Sequence, residues 1–136
     1  MGLKEKLDCG GKFKSEIVEA IKLDPADGVS HHLYGRWCLE VAGLNYFTKI
    51  ACAKLIGAPP ESTYDEALAC FLKAESVHEL FPSHLVALYT ARWYSDPVAP
   101  SQLSPGTWKS NQLCVAKAYM KLGNKTEAKT WLTKVL

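Results

Sequence analysis

The sequence predicts an all-α fold built as an array of helical repeats. Three observations point there. Apolar residues recur at spacings of three and four, with no sustained alternation of period two. One stretch, Pro59 to Glu75, combines a loop, a helix start and a clear apolar face. The pattern of that stretch then returns near the end of the chain, and internal repetition of this kind outranks other signals in choosing a fold.

Within the stretch, Thr63 followed three residues later by Glu66 forms a capping box, in which each side chain bonds the other residue's backbone N–H. Ala67, Phe71 and Ala74 then fall at i, i+4 and i+7, with Leu68 and Leu72 beside them, on one helical stripe. The alanines let a second helix come close and the phenylalanine fills the space between. Glu127 to Val135 lays over Glu66 to Ala74, so that Ala128 replaces Ala67, Leu132 replaces Phe71 and Val135 replaces Ala74. A weaker copy is Phe13, Ile17 and Ala20, closed by Leu23-Asp24-Pro25. The unit is tetratricopeptide-like, with a repeat of about 34 residues. Ala20 and Ala74 are 54 positions apart, and Ala67 and Ala128 are 61 apart. Two insertions account for the excess, roughly 43–60 and 80–106. The prediction is thus a tetratricopeptide-like right-handed helical repeat array with helical insertions, in a single domain over 1–136.

Taken in order, residues 1–14 are charged, interrupted by Gly10-Gly11, and read as a frayed helix. A first full helix runs from Phe13 or Ser15 to Leu23, with Ile17, Ala20 and Ile21 inward, and stops at Pro25 and Gly28. Ser30 caps the next, about His31 to Gly43, whose apolar face is Leu33, Tyr34, Trp37, Cys38, Val41 and Ala42. Asn45 caps a run from Tyr46 to Ile56, with Phe47, Ile50, Ala51 and Leu55 inward. Whether these two runs are one bent helix or two is left open. Gly57-Ala58-Pro59-Pro60 stops the run. The helix from Thr63 to about Val77 follows. Pro82 to Tyr94 is a further candidate, and Ser95 to Gly106 is a loop with three prolines. The last pair is Thr107 to Leu122 and Asn124 to the end, turning at Gly123, with Asn124 and Glu127 repeating the cap spacing.

At 136 residues, 48% hydrophobic and 22% charged, the chain is long enough for one domain with a core and has ordinary globular composition. No uncharged run is long enough to span a bilayer, and no secretory or myristoylation signal is visible. The five cysteines are odd in number and form no CxxC; they read as buried free thiols of the cytosol. Net charge is +2, unevenly placed. Residues 58–100 hold two basic and six acidic residues, whereas 101–136 hold six basic and one acidic. That asymmetry points to a local anionic partner rather than to nucleic acid, since basic and aromatic residues are not interleaved on one face.

Lys117, Lys121, Lys125 and Lys129 recur every four residues, with Lys109 and Lys134 nearby. They read as a basic patch for an anionic partner or as a solvated helix face. Tetratricopeptide arrays bind extended peptides along the first helix of each pair, which makes Arg36, Asn111 and Lys117 groove candidates. His31, His32 and Cys38, like His78 and His84, match no structural zinc spacing, and no HExxH, GxSxG or P-loop is present. The expectation is therefore a protein that is not an enzyme and needs no cofactor or metal. Trp37, Trp93, Trp108 and Trp131 read as core anchors.

The run from His32 to Cys38, the segment Ala51 to Gly57, the Pro59-Pro60-x-x-Thr63-Tyr64-x-x-Ala67-Leu68 element and the tail from Trp108 to Lys134 resemble the regulators of microtubule dynamics. The resemblance covers most of 13–136. It implies a non-catalytic helical-repeat protein that associates with microtubules and helps regulate their dynamics, spindle attachment and chromosome segregation. Tubulin would be the partner of the basic patch, and the location would be the cytoplasm, cytoskeleton or spindle, or the mitochondrial surface. The alternative it implies is lipid binding or organelle contact through mitochondrial tethering, with Tyr46 to Ile56 lining a pocket. The second insertion departs from the family pattern, and the chain reads as a fragment or short form.

Overall fold

The computed structural model describes residues 3–57, 59–77 and 108–136. Every regular element among them is an α-helix: α1 Leu3–Leu23, α2 Gly28–Ala42, α3 Tyr46–Ile56, α4 Tyr64–Val77, α5 Lys109–Lys121 and α6 Lys125–Val135. The expected helix at 82–94, the insertion over 80–106 and the residues His78, His84 and Trp93 lie outside the described residues.

α1 begins at Leu3, well before the expected start at Phe13 or Ser15. Gly10 and Gly11 lie inside it and have open space around them. Each weakens the helix by about 1 kcal/mol relative to alanine without forbidding its backbone angles. α2 also starts earlier than expected, because Asp27 is its cap and Ser30 is not. The Asp27 carboxylate accepts from the Val29 and Ser30 backbone N–H groups at 3.0 and 3.3 Å. The buried Ser30 hydroxyl donates to the same carboxylate instead of capping. α2 and α3 are two helices, separated at Gly43 to Asn45, and the Asn45 side chain accepts from Thr48 N–H at 2.8 Å as the sequence predicts.

α4 shows the full capping box. Thr63 N–H donates to Glu66 Oε2 and Glu66 N–H donates to Thr63 Oγ1, both at 3.1 Å. Between α5 and α6 the chain reverses through a Schellman turn: Gly123 N–H bonds the Met120 carbonyl and Asn124 N–H bonds the Tyr119 carbonyl. Gly123 has φ 82°, a left-handed conformation that costs a residue with a Cβ more than it costs glycine. Asn124 then caps α6 by accepting from Glu127 N–H at 3.2 Å.

α2 packs most extensively on α4, α5 on α6, and α4 on α5; α1 lies on α2. The core has two parts. In one, Ile17, Val29, Leu33, Ala74 and Trp108 meet, joining α1, α2, α4 and the entry to α5. In the other, Cys38, Ala67, Phe71, Val115 and Ala118 join α2, α4 and α5, and Trp131 of α6 packs against them. The stripe of α4 is wholly buried, with Ala67, Phe71 and Ala74 inaccessible to solvent. Gly35 of α2 is what admits it. A Cβ at that position would lie 2.8 Å from Phe71 Cε1.

The copy in α6 behaves differently. Ala128 is buried as its place in the pattern predicts, but Leu132 is 39% exposed and is not the equivalent of Phe71. Trp131 takes the inward position, one residue earlier on the helix. The expected inner face of α3 is also corrected. Phe47 is 81% exposed and Ile50 and Leu55 are exposed too, whereas Cys52 is buried. Despite Lys49 and Lys54, α3 carries apolar residues on every side, so periodicity could not select its inward face.

Candidate partner-binding surface

The four lysines of the predicted patch, Lys117 and Lys121 on α5 and Lys125 and Lys129 on α6, are all exposed. Lys117 and Lys121 are one turn apart and border the same open pocket of about 420 Å³, floored by Leu39, Leu113, Met120 and Leu132. Leu132 reaches that pocket from α6, where it lies three residues beyond Lys129 and so on a neighbouring position of the helix surface. Lys109 is exposed at the start of α5. Lys134 is engaged on its own helix, its Nζ 3.8 Å from the centre of the Trp131 ring.

A second depression, about 210 Å³, adjoins the first between α2 and α5 and is lined by Arg36, Glu40, Ser110 and Lys117 among others. Two of the three groove candidates, Arg36 and Lys117, therefore face one cleft. Cys114 sits at its base, where burial pushes the thiol up and the Arg36 and Lys117 charges oppose that shift.

Asn111, the third groove candidate, is not on that surface. It is fully buried, and its amide is consumed inside the protein. Nδ2 donates to the Phe71 carbonyl at 3.0 Å and to Glu75 Oε2 at 2.8 Å. Both partners are acceptors, which fixes the amide orientation and leaves Oδ1 to accept from His32 Nδ1 at 2.8 Å. His32 is therefore the Nδ1–H tautomer. Burial pushes its pKa down to about 4, only partly opposed by the bond to Asn111 and assisted by the Arg36 charge. Its ring also lies against Trp108, 4.7 Å between centroids. His31 is separately tied to the Pro25 carbonyl at 2.8 Å. Among the described residues no cluster of three or more His, Cys, Asp or Glu could hold a metal ion.

Sequence reasoning missed two features. Glu75 clamps the start of α5, since its other oxygen accepts from Gln112 Nε2 at 2.8 Å. Gly35 also brings α2 close to Cys70 of α4: a Cβ at position 35 would lie 3.1 Å from the Cys70 Cβ. Trp108 is a core anchor as predicted, and Trp131 is half-buried against the core.

No helix among the described residues is long and apolar enough to cross a membrane. The profile of the family described as Regulator of microtubule dynamics protein 1-3 matches residues 1–96. The chain is 30% identical over 131 residues to Regulator of microtubule dynamics protein 3 of Mus musculus, covering 96% of the chain and 22% of that protein. It is 33% identical over 133 residues to protein 1 of Bos taurus, covering 98% of the chain and 34% of the relative. It is 35% identical over 127 residues to protein 2 of Rattus norvegicus, covering 93% and 24% respectively. The chain thus spans between about a fifth and a third of the length of these curated relatives.

Proposed function

The chain belongs to the regulator of microtubule dynamics family, and from that premise we propose that it is a non-catalytic binding module for microtubules. In this reading α2 with α4, and α5 with α6, are the helix pairs of a degenerate tetratricopeptide-like array. The order of packing, α2 on α4, α4 on α5 and α5 on α6, supports it. The exposed lysines at 117, 121, 125 and 129 contact the acidic tails of tubulin. The cleft beside Arg36 and Lys117 takes an extended peptide. Binding of this kind places the protein at the cytoskeleton and serves microtubule dynamics, spindle attachment and chromosome segregation.

The observation that carries the proposal is the exposure of all four lysines on two adjoining helices, two of them bordering one pocket. Exposed charges are screened over about 8–10 Å near physiological ionic strength, so the interaction weakens with salt. In co-sedimentation, the protein pellets with microtubules, and less so as salt is raised. Reversing Lys117, Lys121, Lys125 and Lys129 to glutamate abolishes pelleting while circular dichroism stays unchanged. Normal pelleting of the folded reversed variant would overturn the assignment of the patch.

A further inference from the structure

Along α5 an apolar row and a cationic row run side by side. Met120 follows Leu113 by two helical turns, and Lys117 and Lys121 follow it at i+4 and i+8. Leu113 is 38% exposed and Met120 54%, and Leu132 of α6 reaches the same place at 39%. Apolar side chains scattered singly over a surface need no explanation, but these three meet round one hollow. Its other apolar lining is Leu39 of α2 and the buried Ala116. Its volume of about 420 Å³ lies within the range of about 300–1,000 Å³ at which pockets hold small ligands.

The hollow continues into the depression between α2 and α5, because Leu39, Leu113 and Lys117 line both. There the character changes: Arg36 and Lys117 stand against a single carboxylate, Glu40, with Ser110 beside them. Lys121 adds a third cation at the apolar end. The groove runs from Ser110 to Lys121, eleven positions or about 16 Å along the axis of α5. An extended chain covers that length with about five residues.

Charge selects the occupant. A second copy laid face to face would set lysine against lysine, and a basic segment would meet the same repulsion. On the premise above that the cleft takes an extended peptide, we propose that the whole groove binds an acidic segment of a partner protein carrying one large apolar anchor. The anchor, a leucine, methionine or phenylalanine, seats among Leu113, Met120 and Leu132. Carboxylates on either side of it meet Lys121 and the cleft of Arg36 and Lys117. The charges draw the segment in and fix its register, and the anchor distinguishes it from a run of acidic residues alone.

The test is fluorescence anisotropy of labelled peptides titrated with the whole chain. One peptide has a central leucine flanked by glutamates, a second has alanine in its place, and a third keeps the leucine between lysines. The leucine peptide should bind about tenfold more tightly than the alanine peptide, and the lysine peptide not at all. Met120→Gln combined with Leu132→Gln should lower the leucine peptide to the affinity of the alanine peptide. Lys117→Gln should weaken both acidic peptides. The three peptides on the unsubstituted chain decide the question even if a variant fails to fold. Equal binding of the leucine and alanine peptides would overturn the anchor and leave the cleft as a peptide site. Binding of none would overturn both readings. Binding of the lysine peptide as tightly as the acidic one would overturn the role of charge. Flotation of the chain with phosphatidylserine vesicles, lost in the Met120→Gln, Leu132→Gln variant while no peptide binds, would overturn the proposal in favour of a membrane.

Discussion

α4 lies between α2 and α5, whereas among the described helices α6 packs on α5. Each carries the same stripe, a small residue followed four positions later by a large one. In α4 the large residue, Phe71, is wholly enclosed; in α6 its counterpart Leu132 is 39% exposed and floors an open pocket. The pattern specifies that a face is apolar. How deeply that face is buried depends on how many helices cover it. The region around α4 is accordingly a packing site, whereas the α5–α6 surface keeps an open pocket.

The largest expected effect tests that contrast directly. Phe71→Ala removes a fully buried ring and lowers unfolding free energy by about 3–5 kcal/mol. Leu132→Ala removes a side chain already in contact with water and costs about 1 kcal/mol or less. Urea denaturation measures both, and equal costs would erase the distinction between the two helices.

Next in size is the pH response of the interior. His32 is buried as the neutral ring with a pKa near 4, against 6.5 when exposed in the unfolded chain. Below pH 6.5 the unfolded state therefore binds a proton that the folded state refuses. The His32 contribution is intact above that pH and is lost progressively as pH falls toward 4, by about 3 kcal/mol in all. Carboxylates titrate in the same range, so the measurement is the difference between the wild type and His32→Gln. The variant's stability should fall less steeply between pH 6.5 and 4. Parallel curves would remove His32 from the account.

The smallest effect concerns what the two helices share. Thr63→Ala and Asn124→Ala each delete one side-chain cap, and each should cost about 1 kcal/mol. Near-equal costs measured by thermal or urea unfolding sharpen the comparison, because they confine the difference between α4 and α6 to their stripes. A silent Asn124→Ala would mean that the start of α6 is fixed by something other than its cap.

These contrasts track what was legible in the sequence. The caps at Thr63, Asn45 and Asn124 and the turn at Gly123 could be read because donor and acceptor lie within five residues. The stripe of α4 could be read because its period is helical. The cap at Asp27 is masked in the sequence by Ser30, which is also a capping residue type; only the structure shows the Ser30 hydroxyl turned back to Asp27. The inward side of α3 is not legible because apolar residues occur all around that helix. Asn111 looked like a surface amide, since its partners Phe71 and His32 lie 40 and 79 residues away. The lysine row was visible as spacing, and the structure added the pocket beside its first half. The family resemblance was carried by loop and helix motifs that local reading could find.

The clamp at Glu75 has a reach beyond its own bonds. Trp108 gives α5 no side-chain cap, and Glu75 instead grips Asn111 and Gln112 in the opening turns of that helix. A carboxylate there also suits the positive end of the helix dipole. Lys117 follows Asn111 by six residues, about 9 Å along a rigid axis. The placement of Lys117 and Lys121 on the surface is thus set from within, by an amide that never meets solvent. α5 works as a pointer pivoted at its buried end, and the aim of the outer surface is held by α4.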